Sequence, residues 1–368
     1  MSKTVLLTAG GTGGHLFPAQ ALASELERRG WTVELATDER ADKYGTAFPA
    51  RAVHIIASET IRGRNPVALA KTGLSLLLGT LQARSVIKKL KPDVVAGFGG
   101  YPTFPPMYAA RLTGTPSILH EANGVMGRAN KMLAKGVTAI ATSVPLENLP
   151  GGLAEKQVET GNPVRDAVLE AANQPYVAPE AEGEFKLLVF GGSQGARFFS
   201  DLLPPAVEQL PEDLRNRLSI VQQCRPEDMD RVQKVYGTLG IKAECASFFQ
   251  DMPRRIADSH LVLCRSGASS VSELSVLGRP SILVPLPGAI DQDQAANAKV
   301  LEQAGGAWPI RQSELSAERL AGELTKLMHA PGLLTEAAAN ALRVAKPDAV
   351  SRLADLVERV AANKGERP

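Results

Sequence analysis

Near its N-terminus the chain reads Lys3-Thr-Val-Leu-Leu-Thr-Ala-Gly-Gly-Thr-Gly-Gly-His15, an apolar strand that runs directly into four glycines and then a helix. The same pattern returns about half a chain later as Phe185-Lys-Leu-Leu-Val-Phe-Gly-Gly-Ser-Gln-Gly-Ala-Arg197. Because glycine has no Cβ, a ligand's phosphates can approach the backbone N–H groups of such a turn and the positive end of the next helix. One such turn is a weak signal. Two predict a pair of similar α/β domains that face a shared cleft.

Strand-like and helix-like runs alternate along the whole chain, which is typical of parallel sheets covered by helices. We predict strands at 4–9, 32–36, 52–56, 94–97, 117–120, 139–142, 157–159, 186–190, 219–223, 243–246, 261–264 and 281–284. The principal predicted helices lie at 19–29, 66–90, 270–277, 294–304 and 348–363. The Gly161-Asn-Pro163 turn indicates a boundary. We therefore expect a first domain over 1–163, a second over 164–345 and a terminal segment over 346–368.

The composition excludes several classes of protein. A net charge of +2 is too small to indicate a nucleic-acid partner. The three cysteines, Cys224, Cys245 and Cys264, read as buried thiols of a reducing compartment, and the five histidines lack metal-ligand spacing. We find neither a signal peptide nor an apolar run long enough to span a bilayer, and we expect a cytoplasmic protein.

The first glycine turn, residues 10–14, fits neither common nucleotide motif. Leu16 stands where the dinucleotide fingerprint needs its third glycine, and the P-loop lysine is missing. A purely structural tight turn needs fewer glycines than this one contains. His15 follows at the start of the helix, where it either acts as a general base or serves as a cap or packing residue.

Further polar groups accompany the second turn. Ser193 either donates to a phosphate oxygen or caps the helix. The run Cys264-Arg-Ser-Gly-Ala-Ser-Ser-Val-Ser-Glu273 follows a strand and opens a helix with small residues, which is a second anion-binding pattern. Glu273 either supports the helix dipole or accepts ribose hydroxyls. The loop over 285–294 can bind sugar hydroxyls, and we do not assign its Asp291-Gln-Asp293 to a metal.

Seven motifs in order over nearly the whole chain resemble the MurG family, the lipid II-forming N-acetylglucosaminyltransferases of glycosyltransferase family 28. They are Gly10-Gly-Thr-Gly-Gly-His-x-x-Pro-Ala19, Gly99-Gly-Tyr101, His120-Glu-x-Asn123, Gly161-Asn-Pro-Val-Arg165, Gly191-Gly-Ser-Gln-Gly-Ala-Arg197, Cys264-Arg-Ser-Gly-Ala268 and Val271-Ser-Glu273.

The resemblance implies a GT-B fold, in which two Rossmann-like domains face a deep cleft and a C-terminal helix returns to the N-terminal domain. It implies an inverting enzyme that moves GlcNAc from UDP-GlcNAc to the 4-hydroxyl of MurNAc in undecaprenyl-diphosphoryl-MurNAc-pentapeptide, or lipid I. No cofactor and no metal are expected. The implied partners are UDP-GlcNAc, lipid I at the membrane surface, and proteins of cell-wall synthesis and division, but no nucleic acid. The implied location is peripheral, on the cytoplasmic face of the plasma membrane.

The resemblance also assigns residues. His15 would be the catalytic base. The donor site would comprise Thr12, Gly13, Gly14, Asn123, Arg165, Ser193, Phe249, Ala268, Ser269, Ser270, Val271, Ser272, Glu273 and Gln294. Phe249 stands where the family holds uracil through backbone groups, and Glu273 where it holds ribose. The acceptor diphosphate would face Gly11, Gly13, Gly14, Gly99, Gly100 and Tyr101.

The sequence departs from the family pattern at four places. Ala122 replaces a usual glutamine, and Gln222-Gln-Cys-Arg225 replaces a segment like His-Gln-Thr-Gly. Residues 102–106 lack the usual glycines, and Asp293 precedes Gln294 where a neutral or basic residue is usual. The departures at Ala122 and Asp293 put individual sugar contacts in question, whereas the nucleotide motifs are intact.

A lipid acceptor requires a surface that meets the membrane, and the segment 66–92 offers one. Its leucines, Leu74, Leu76, Leu77, Leu78 and Leu81, lie near Arg84, Lys88, Lys89 and Lys91. Packing against the sheet would account for most of these leucines, so we expect only a subset to be exposed. Three other functions remain: a different UDP-sugar enzyme of this fold (a glycolipid glycosyltransferase or an epimerase), a non-catalytic nucleotide-sugar-binding subunit, and an NAD-dependent dehydrogenase, which the missing fingerprint disfavours.

Overall fold

The structure is a computed structural model that describes residues 2–10, 13–39, 48–59, 66–146, 149, 151–192, 195–288 and 293–363, with only the backbone described for 66–69. The chain divides into two compact units. Unit 1 comprises Met1–Arg165 and Pro347–Pro368, and unit 2 comprises Asp166–Lys346. These divisions lie close to the boundaries predicted after residues 163 and 345.

Unit 1 is built on a seven-stranded parallel sheet of order β3-β2-β1-β4-β5-β6-β7. The strands are β1 (Thr4–Thr8), β2 (Thr32–Thr37), β3 (Ala52–Ile55), β4 (Val94–Gly97), β5 (Ser117–Glu121), β6 (Ala139–Thr142) and β7 (Gln157–Glu159). Val5 pairs with Val33 on one side and Val94 on the other. Alternate residues of β1 face opposite sides of the sheet, so Val5 and Leu7 enter one hydrophobic core while Leu6 enters another.

Helices cover both faces of this sheet. They are α1 (Gly13–Arg28), α2 (Pro66–Leu90), α3 (Phe104–Thr113) and α4 (Arg128–Leu133), with short 3-10 turns at Tyr101–Thr103, Ala134–Gly136 and Ala154–Lys156. Leu16, Leu22 and Leu26 of α1 pack with Val5 and Leu7. On the opposite face, Ile87 of α2 and Met107 of α3 pack with Leu6.

Unit 2 repeats the plan with a six-stranded parallel sheet of order β10-β9-β8-β11-β12-β13. The strands are β8 (Phe185–Phe190), β9 (Leu218–Gln223), β10 (Lys242–Ala246), β11 (Leu261–Cys264), β12 (Ser281–Leu283) and β13 (Ala307–Pro309). The helices are α5 (Asp166–Ala171), α6 (Arg197–Glu208), α7 (Glu212–Arg215), α8 (Met229–Thr238), α9 (Met252–Asp258), α10 (Ala268–Leu277), α11 (Asp293–Ala304), α12 (Ala317–Met328) and α13 (Pro331–Arg343), with 3-10 turns at Pro226–Asp228 and Gln312–Glu314.

The last helix, α14 (Ala349–Ala362), belongs to unit 1 although the chain reaches it from unit 2. Leu353, Leu356 and Val357 enter the core formed by α1 and the sheet. Arg29 fastens the helix from outside, because its Nη1 pairs with Asp355 at 2.6 Å and with Glu358 at 3.1 Å.

Two expectations about elements are wrong. The first helix begins at Gly13, where we predicted Ala19, and the short strand β13 was not predicted. Cys224 and Cys264 are buried as expected, but Cys245 is only half-buried. No helix within the described residues combines the length and the apolar character needed to cross a bilayer.

Candidate functional site

In unit 1 the first glycine turn packs against a second glycine segment. Gly10 follows β1, and its N–H donates to the carbonyl of Gly99, which follows the neighbouring strand β4, at 3.2 Å. Gly99 and Gly100 have φ of +92° and +79°, which glycine adopts without strain. The turn and the Gly99-Gly100 segment therefore lie together at the carboxyl end of the sheet, where α/β folds bind ligands. Gly11 and Thr12 lie outside the described residues, and Gly13 and Gly14 are the first two residues of α1.

His15 is half-buried and lies directly on this glycine surface. A Cβ built at Gly99 would lie 3.2 Å from its Cε1, and one built at Gly100 would lie 3.3 Å from its Cδ2. Any larger residue at either position would displace the imidazole. The structure thus brings together His15, Gly13, Gly14, Gly99 and Gly100, and Tyr101 begins the 3-10 turn that follows.

His120, at the end of β5, was quoted in a motif but was given no role. Its buried ring lies 5.3 Å from the ring of Phe98, and its Nε2 is 3.2 Å from the carbonyl oxygen of Gly161. The pKa of His120 is lowered to about 4, mainly by burial and to a smaller extent by the electrostatic influence of His15, while the hydrogen bond to Gly161 acts in the opposite direction. His120 is therefore neutral at pH 7 and adds no positive charge beside His15.

Glu121 organises the loop that carries Asn123. Its carboxylate accepts hydrogen bonds from the backbone and side-chain amides of Asn123, the N–H of Gly127 and Nδ2 of Asn130, at 2.7–3.2 Å. Burial raises the pKa of Glu121, and these four hydrogen bonds oppose that rise. Asn123, predicted as a donor-binding residue, is therefore held by a carboxylate that the sequence analysis did not single out.

Arg165, the last residue of unit 1 before the division, is brought to the first turn. Its guanidinium carbon lies 3.9 Å from the centre of the Phe17 ring, a cation–π distance. The same ring lies 3.1 Å from a Cβ built at Gly13. Arg165, Phe17 and Gly13 thus form one contact group, and the donor-binding role of Arg165 and Gly13 stays a prediction.

In unit 2 the second glycine turn follows β8. The N–H of Gly191 donates to Oε1 of Gln223 at 3.2 Å, and the N–H of Gly195 donates to the carbonyl of Gly192 at 3.0 Å. A Cβ at Gly191 would lie 2.3 Å from the backbone nitrogen of Ala196, so only glycine fits there. Ser193, predicted to bind the donor, lies outside the described residues, as does Gln194.

The N-terminus of α10 is the second feature of unit 2 that can bind an anion. Gly267 is the N-cap, and the N–H groups of Ala268, Ser269 and Ser270 precede the first intrahelical bond, which Val271 donates to Gly267. The predicted run from Ala268 to Glu273 therefore forms the opening turns of one helix. Glu273, on the second turn, is buried.

Arg265 and Ser266 connect this helix to the start of α11, where Gln294 lies. Ser266 Oγ donates to the Gln294 carbonyl at 2.8 Å, and Gln294 Oε1 accepts the N–H of Leu286 at 3.0 Å. Buried Arg265 donates to the carbonyls of Val284 and Pro285 at 3.1 and 3.3 Å. The sequence analysis placed Gln294 in the site but missed Arg265, because its partners lie about 20 residues away in sequence.

Two further predictions concern the edges of the unit 2 site. Phe249 follows β10 and is buried beneath Arg255, whose guanidinium carbon lies 4.2 Å from the ring centre. Asp291 lies outside the described residues, and Asp293 Oδ1 accepts the N–H of Gln294 at 2.8 Å. In the part of the chain that the structure describes, no three or more His, Cys, Asp or Glu side chains converge as metal ligands.

The two halves of the chain match two family models. Residues 5–142 match the glycosyltransferase family 28 N-terminal domain, and residues 186–355 match the glycosyltransferase family 28 C-terminal domain. A relative from Chelativorans sp. (strain BNC1) is 56% identical over 362 residues, 98% of this chain and 96% of the relative. The chain belongs to glycosyltransferase family 28.

Other family 28 proteins agree. The Chelativorans relative is named UDP-N-acetylglucosamine--N-acetylmuramyl-(pentapeptide) pyrophosphoryl-undecaprenol N-acetylglucosamine transferase. A Bradyrhizobium diazoefficiens relative with the same name is 55% identical over 98% of this chain and 99% of its own. The crystal structure of Acinetobacter baumannii MurG matches with a TM-score of 0.75 and 31% identity, over 97% of this chain and 99% of that one. The predicted family and the predicted GT-B class of fold are confirmed.

Proposed function

We propose that this glycosyltransferase moves GlcNAc from UDP-GlcNAc to the 4-hydroxyl of MurNAc in undecaprenyl-diphosphoryl-MurNAc-pentapeptide, which converts lipid I to lipid II. The observation that carries the proposal is the identity of 55–56% over 98% of the chain to relatives named for this transfer. The match extends over both units of the chain, so it includes the residues assigned to the donor and those assigned to the acceptor.

The donor diphosphate is assigned to unit 2. The N–H groups of Ala268, Ser269 and Ser270, which precede the first intrahelical bond of α10, offer backbone donors to the phosphates, and Ser193 of the second glycine turn is a further predicted donor. When UDP departs, negative charge builds on its β-phosphate, and fixed N–H dipoles stabilise that charge without reorganisation. We therefore expect the transfer to proceed without a cofactor or a bound metal.

The remaining donor contacts follow the assigned residues. Glu273 would accept the ribose hydroxyls, and the backbone at Phe249 would hold uracil. Asn123, Arg165 and Gln294 would bind the sugar or the phosphate next to it. Oε1 of Gln294 accepts the N–H of Leu286, so its amide nitrogen remains as a donor for a sugar hydroxyl and Oε1 keeps one further acceptor position.

His15 is the proposed general base. Its imidazole would take the proton of the MurNAc 4-hydroxyl as that oxygen attacks the anomeric carbon and the bond to the UDP oxygen breaks. Attack from the face opposite UDP inverts the anomeric centre and gives a β-1,4 link. The acceptor diphosphate would lie against Gly11, Gly13, Gly14, Gly99, Gly100 and Tyr101, and the lipid substrate would then lie beside this base.

Helix α2 supports a membrane-facing role for unit 1. Leu74, Leu77, Leu78 and Leu81 are exposed and spaced to share one helix face, whereas Ala83 and Ile87 face the core and Leu76 is half-buried. On the adjoining α3, Tyr108 and Leu112 are also exposed. We name these six exposed side chains the leucine patch. Its neighbours Arg84, Lys88, Lys89 and Lys91 are exposed cations suited to anionic lipid headgroups. We infer a peripheral location on the cytoplasmic face of the plasma membrane.

One assay tests the proposed function. The purified chain is incubated with UDP-GlcNAc and short-prenyl lipid I, and released UDP and the disaccharide product are measured. We expect both products in equal amounts, with UDP-galactose giving neither. Folded protein that makes no disaccharide would refute the proposal, and formation of an epimer of UDP-GlcNAc without acceptor would favour the epimerase instead.

A further inference from the structure

The tetrapeptide Gln222-Gln-Cys-Arg225, which departs from the family pattern, lies at the carboxyl end of β9. This strand stands between β8 and β10 in the sheet. Its end therefore lies between the Gly191–Gly195 turn, which follows β8, and the segment that leads from β10 to Phe249. A ligand that spans those two features passes the end of β9.

Gln223 fixes the three strand ends to one another. Its Oε1 accepts the N–H of Gly191 at 3.2 Å, and its Nε2 donates to the carbonyl of Ser247 at 3.1 Å. The side chain is buried, so both bonds are shielded from water. The backbone that leads to Arg225 therefore starts from a rigid base.

Arg225 lies against the glycine turn itself. Its Cγ would be 3.3 Å from a Cβ built at Gly195, and its backbone nitrogen would be 4.0 Å from the same point. Gly195 has φ of +67°, so the turn needs glycine there and leaves room for the arginine stem. The N–H of Asp228 donates to the Arg225 carbonyl at 3.0 Å, which holds the arginine backbone in a turn.

The positive charge of Arg225 is only weakly paired within the described part of the protein. The side chain is 40% exposed, and its Nη1 is 4.0 Å from Oε1 of Glu227, the outer limit of an ion pair. Among the described residues, its guanidinium makes no hydrogen bond. Five N–H donors on a planar group are thus available next to a turn whose other donors are neutral amides. An exposed guanidinium can bind a phosphate in a bidentate manner, with two parallel N–H···O hydrogen bonds.

We propose that Arg225 binds the diphosphate of the nucleotide sugar beside the Gly191–Gly195 turn, as a donor-binding residue that this chain has in place of the usual neutral segment. The inference rests on the proposed function, because it assigns the same turn to a nucleoside diphosphate. A fixed positive charge there would add to the N–H dipoles as the leaving group becomes more negative.

The test compares ligands with and without phosphates. Titration calorimetry measures UDP binding, and NMR titration measures uridine binding, for the wild type, Arg225→Gln and Arg225→Lys. We expect Arg225→Gln to weaken UDP binding about tenfold, within the range for a charge-assisted contact, and to leave uridine binding unchanged. Arg225→Lys should keep most of the affinity. Arg311→Gln is the matched control, since it removes an exposed arginine of unit 2 that pairs at 3.6 Å with Glu314.

A second variant isolates the charge from the fold. Glu227→Gln removes the competing carboxylate, so UDP should bind about twofold tighter in the wild-type background and no tighter when Arg225→Gln is also present. Raising salt from about 50 to about 200 mM should weaken UDP binding less in Arg225→Gln than in the wild type.

The outcomes separate this inference from the proposed function. Wild-type protein that binds neither UDP nor UDP-GlcNAc would overturn the proposed function. Wild-type protein that binds UDP, together with an Arg225→Gln variant that binds it equally well or loses uridine affinity in parallel, would overturn the role of Arg225 alone.

Discussion

The position of His15 on bare glycine backbone makes its chemical role directly testable. Replacing His15 with Gln keeps a polar side chain of similar reach but removes the proton acceptor. We expect kcat to fall by about 10²–10⁴-fold, the usual contribution of a general base, while UDP affinity stays within about twofold. UDP release measures the rate, and calorimetry measures the affinity. His329→Gln, at an exposed helix end, should have wild-type activity. Unchanged turnover in His15→Gln would exclude His15 as the base.

The glycines beneath His15 provide an independent test of the same geometry. In Gly99→Ala the new methyl carbon would lie 3.2 Å from Cε1 of His15, at a φ of +92° that alanine rarely adopts. We expect kcat to fall at least about tenfold and the free energy of unfolding to fall by about 1–2 kcal/mol. Gly322→Ala is the control, because nothing lies within 4 Å of its added Cβ. Full activity in Gly99→Ala would mean that the ring position is not critical.

His120 makes the stability of unit 1 depend on pH. Its folded pKa of about 4 lies below the ordinary value of 6.5, so the unfolded chain binds more protons between these two pH values. The contribution of neutral His120 to the free energy of unfolding of unit 1 is therefore fully present above about pH 6.5. It is lost as the pH falls towards 4, and the loss is on the order of 3 kcal/mol. Urea unfolding followed by Trp31 fluorescence in a Trp308→Phe background reports on unit 1.

The prediction concerns the difference between two proteins, because carboxylates also titrate in this range. The stability gap between wild type and His120→Gln should shrink as the pH falls from 7 to 4.5. His260 also has its pKa lowered to about 4, mainly by burial, but it lies in unit 2. Because Trp31 reports on unit 1, His260→Gln should leave the Trp31 signal unaffected. A gap that is constant with pH would contradict the neutral, buried state of His120.

At the scale of elements, Arg29 is expected to hold α14 on unit 1. It bonds to Glu25, Asp355, Glu358 and Ser351, which tie α1 to the last helix of the chain. Arg29→Met should lower the free energy of unfolding of unit 1 by about 1–2 kcal/mol, measured through Trp31. Arg352→Met removes an exposed pair between α14 and its N-cap Asp348, and it should lower the free energy of unfolding by less than about 0.5 kcal/mol. Equal losses of unfolding free energy in the two variants would show that Arg29 does not hold α14 on unit 1.

Local sequence patterns predicted most elements, and the failures have physical causes. Glycine and proline are poor helix formers, so the sequence predicted that α1 begins only after Pro18. The helix in fact begins at Gly13 and includes Pro18. Strand β13 has three residues and ends in proline, too short a run to carry a period-2 signal. It is the edge strand of its sheet, where proline is tolerated. Such short elements form because a neighbouring strand supplies their hydrogen bonds.

Some residues of the candidate site could be predicted from local sequence, and others could not. Glycines and small residues at strand ends are visible in sequence because the turn itself requires them, as at Gly191 and Gly99. Glu121 and Arg265 act on backbone groups of other segments, and such partners are known only once the chain is folded. The sequence alone therefore identified the glycines that the turns require more readily than the side chains that hold neighbouring backbone in place.

For the whole molecule, the alternation of strands and helices predicted two parallel-sheet units, and the apolar spacing of 350–360 predicted the helix that completes unit 1. Exposure was harder to predict on α2. The expectation that most of its leucines pack against the sheet is wrong, because Leu74, Leu77, Leu78 and Leu81 are exposed. Ala83 and Ile87 face the core instead.

The exposed leucine patch gives the molecule one surface suited to lipid. Changing both Leu77 and Leu78 to Gln removes apolar area that would otherwise enter the headgroup region, so binding to phosphatidylglycerol-containing vesicles should weaken at least about tenfold. Cosedimentation measures the binding. The turnover of a water-soluble short-prenyl acceptor should stay unchanged, because neither residue belongs to the assigned site. The Val177→Gln variant changes an even more exposed apolar residue of unit 2 and should bind vesicles as the wild type does. If the leucine variant sediments with vesicles like the wild type, the membrane must contact another surface.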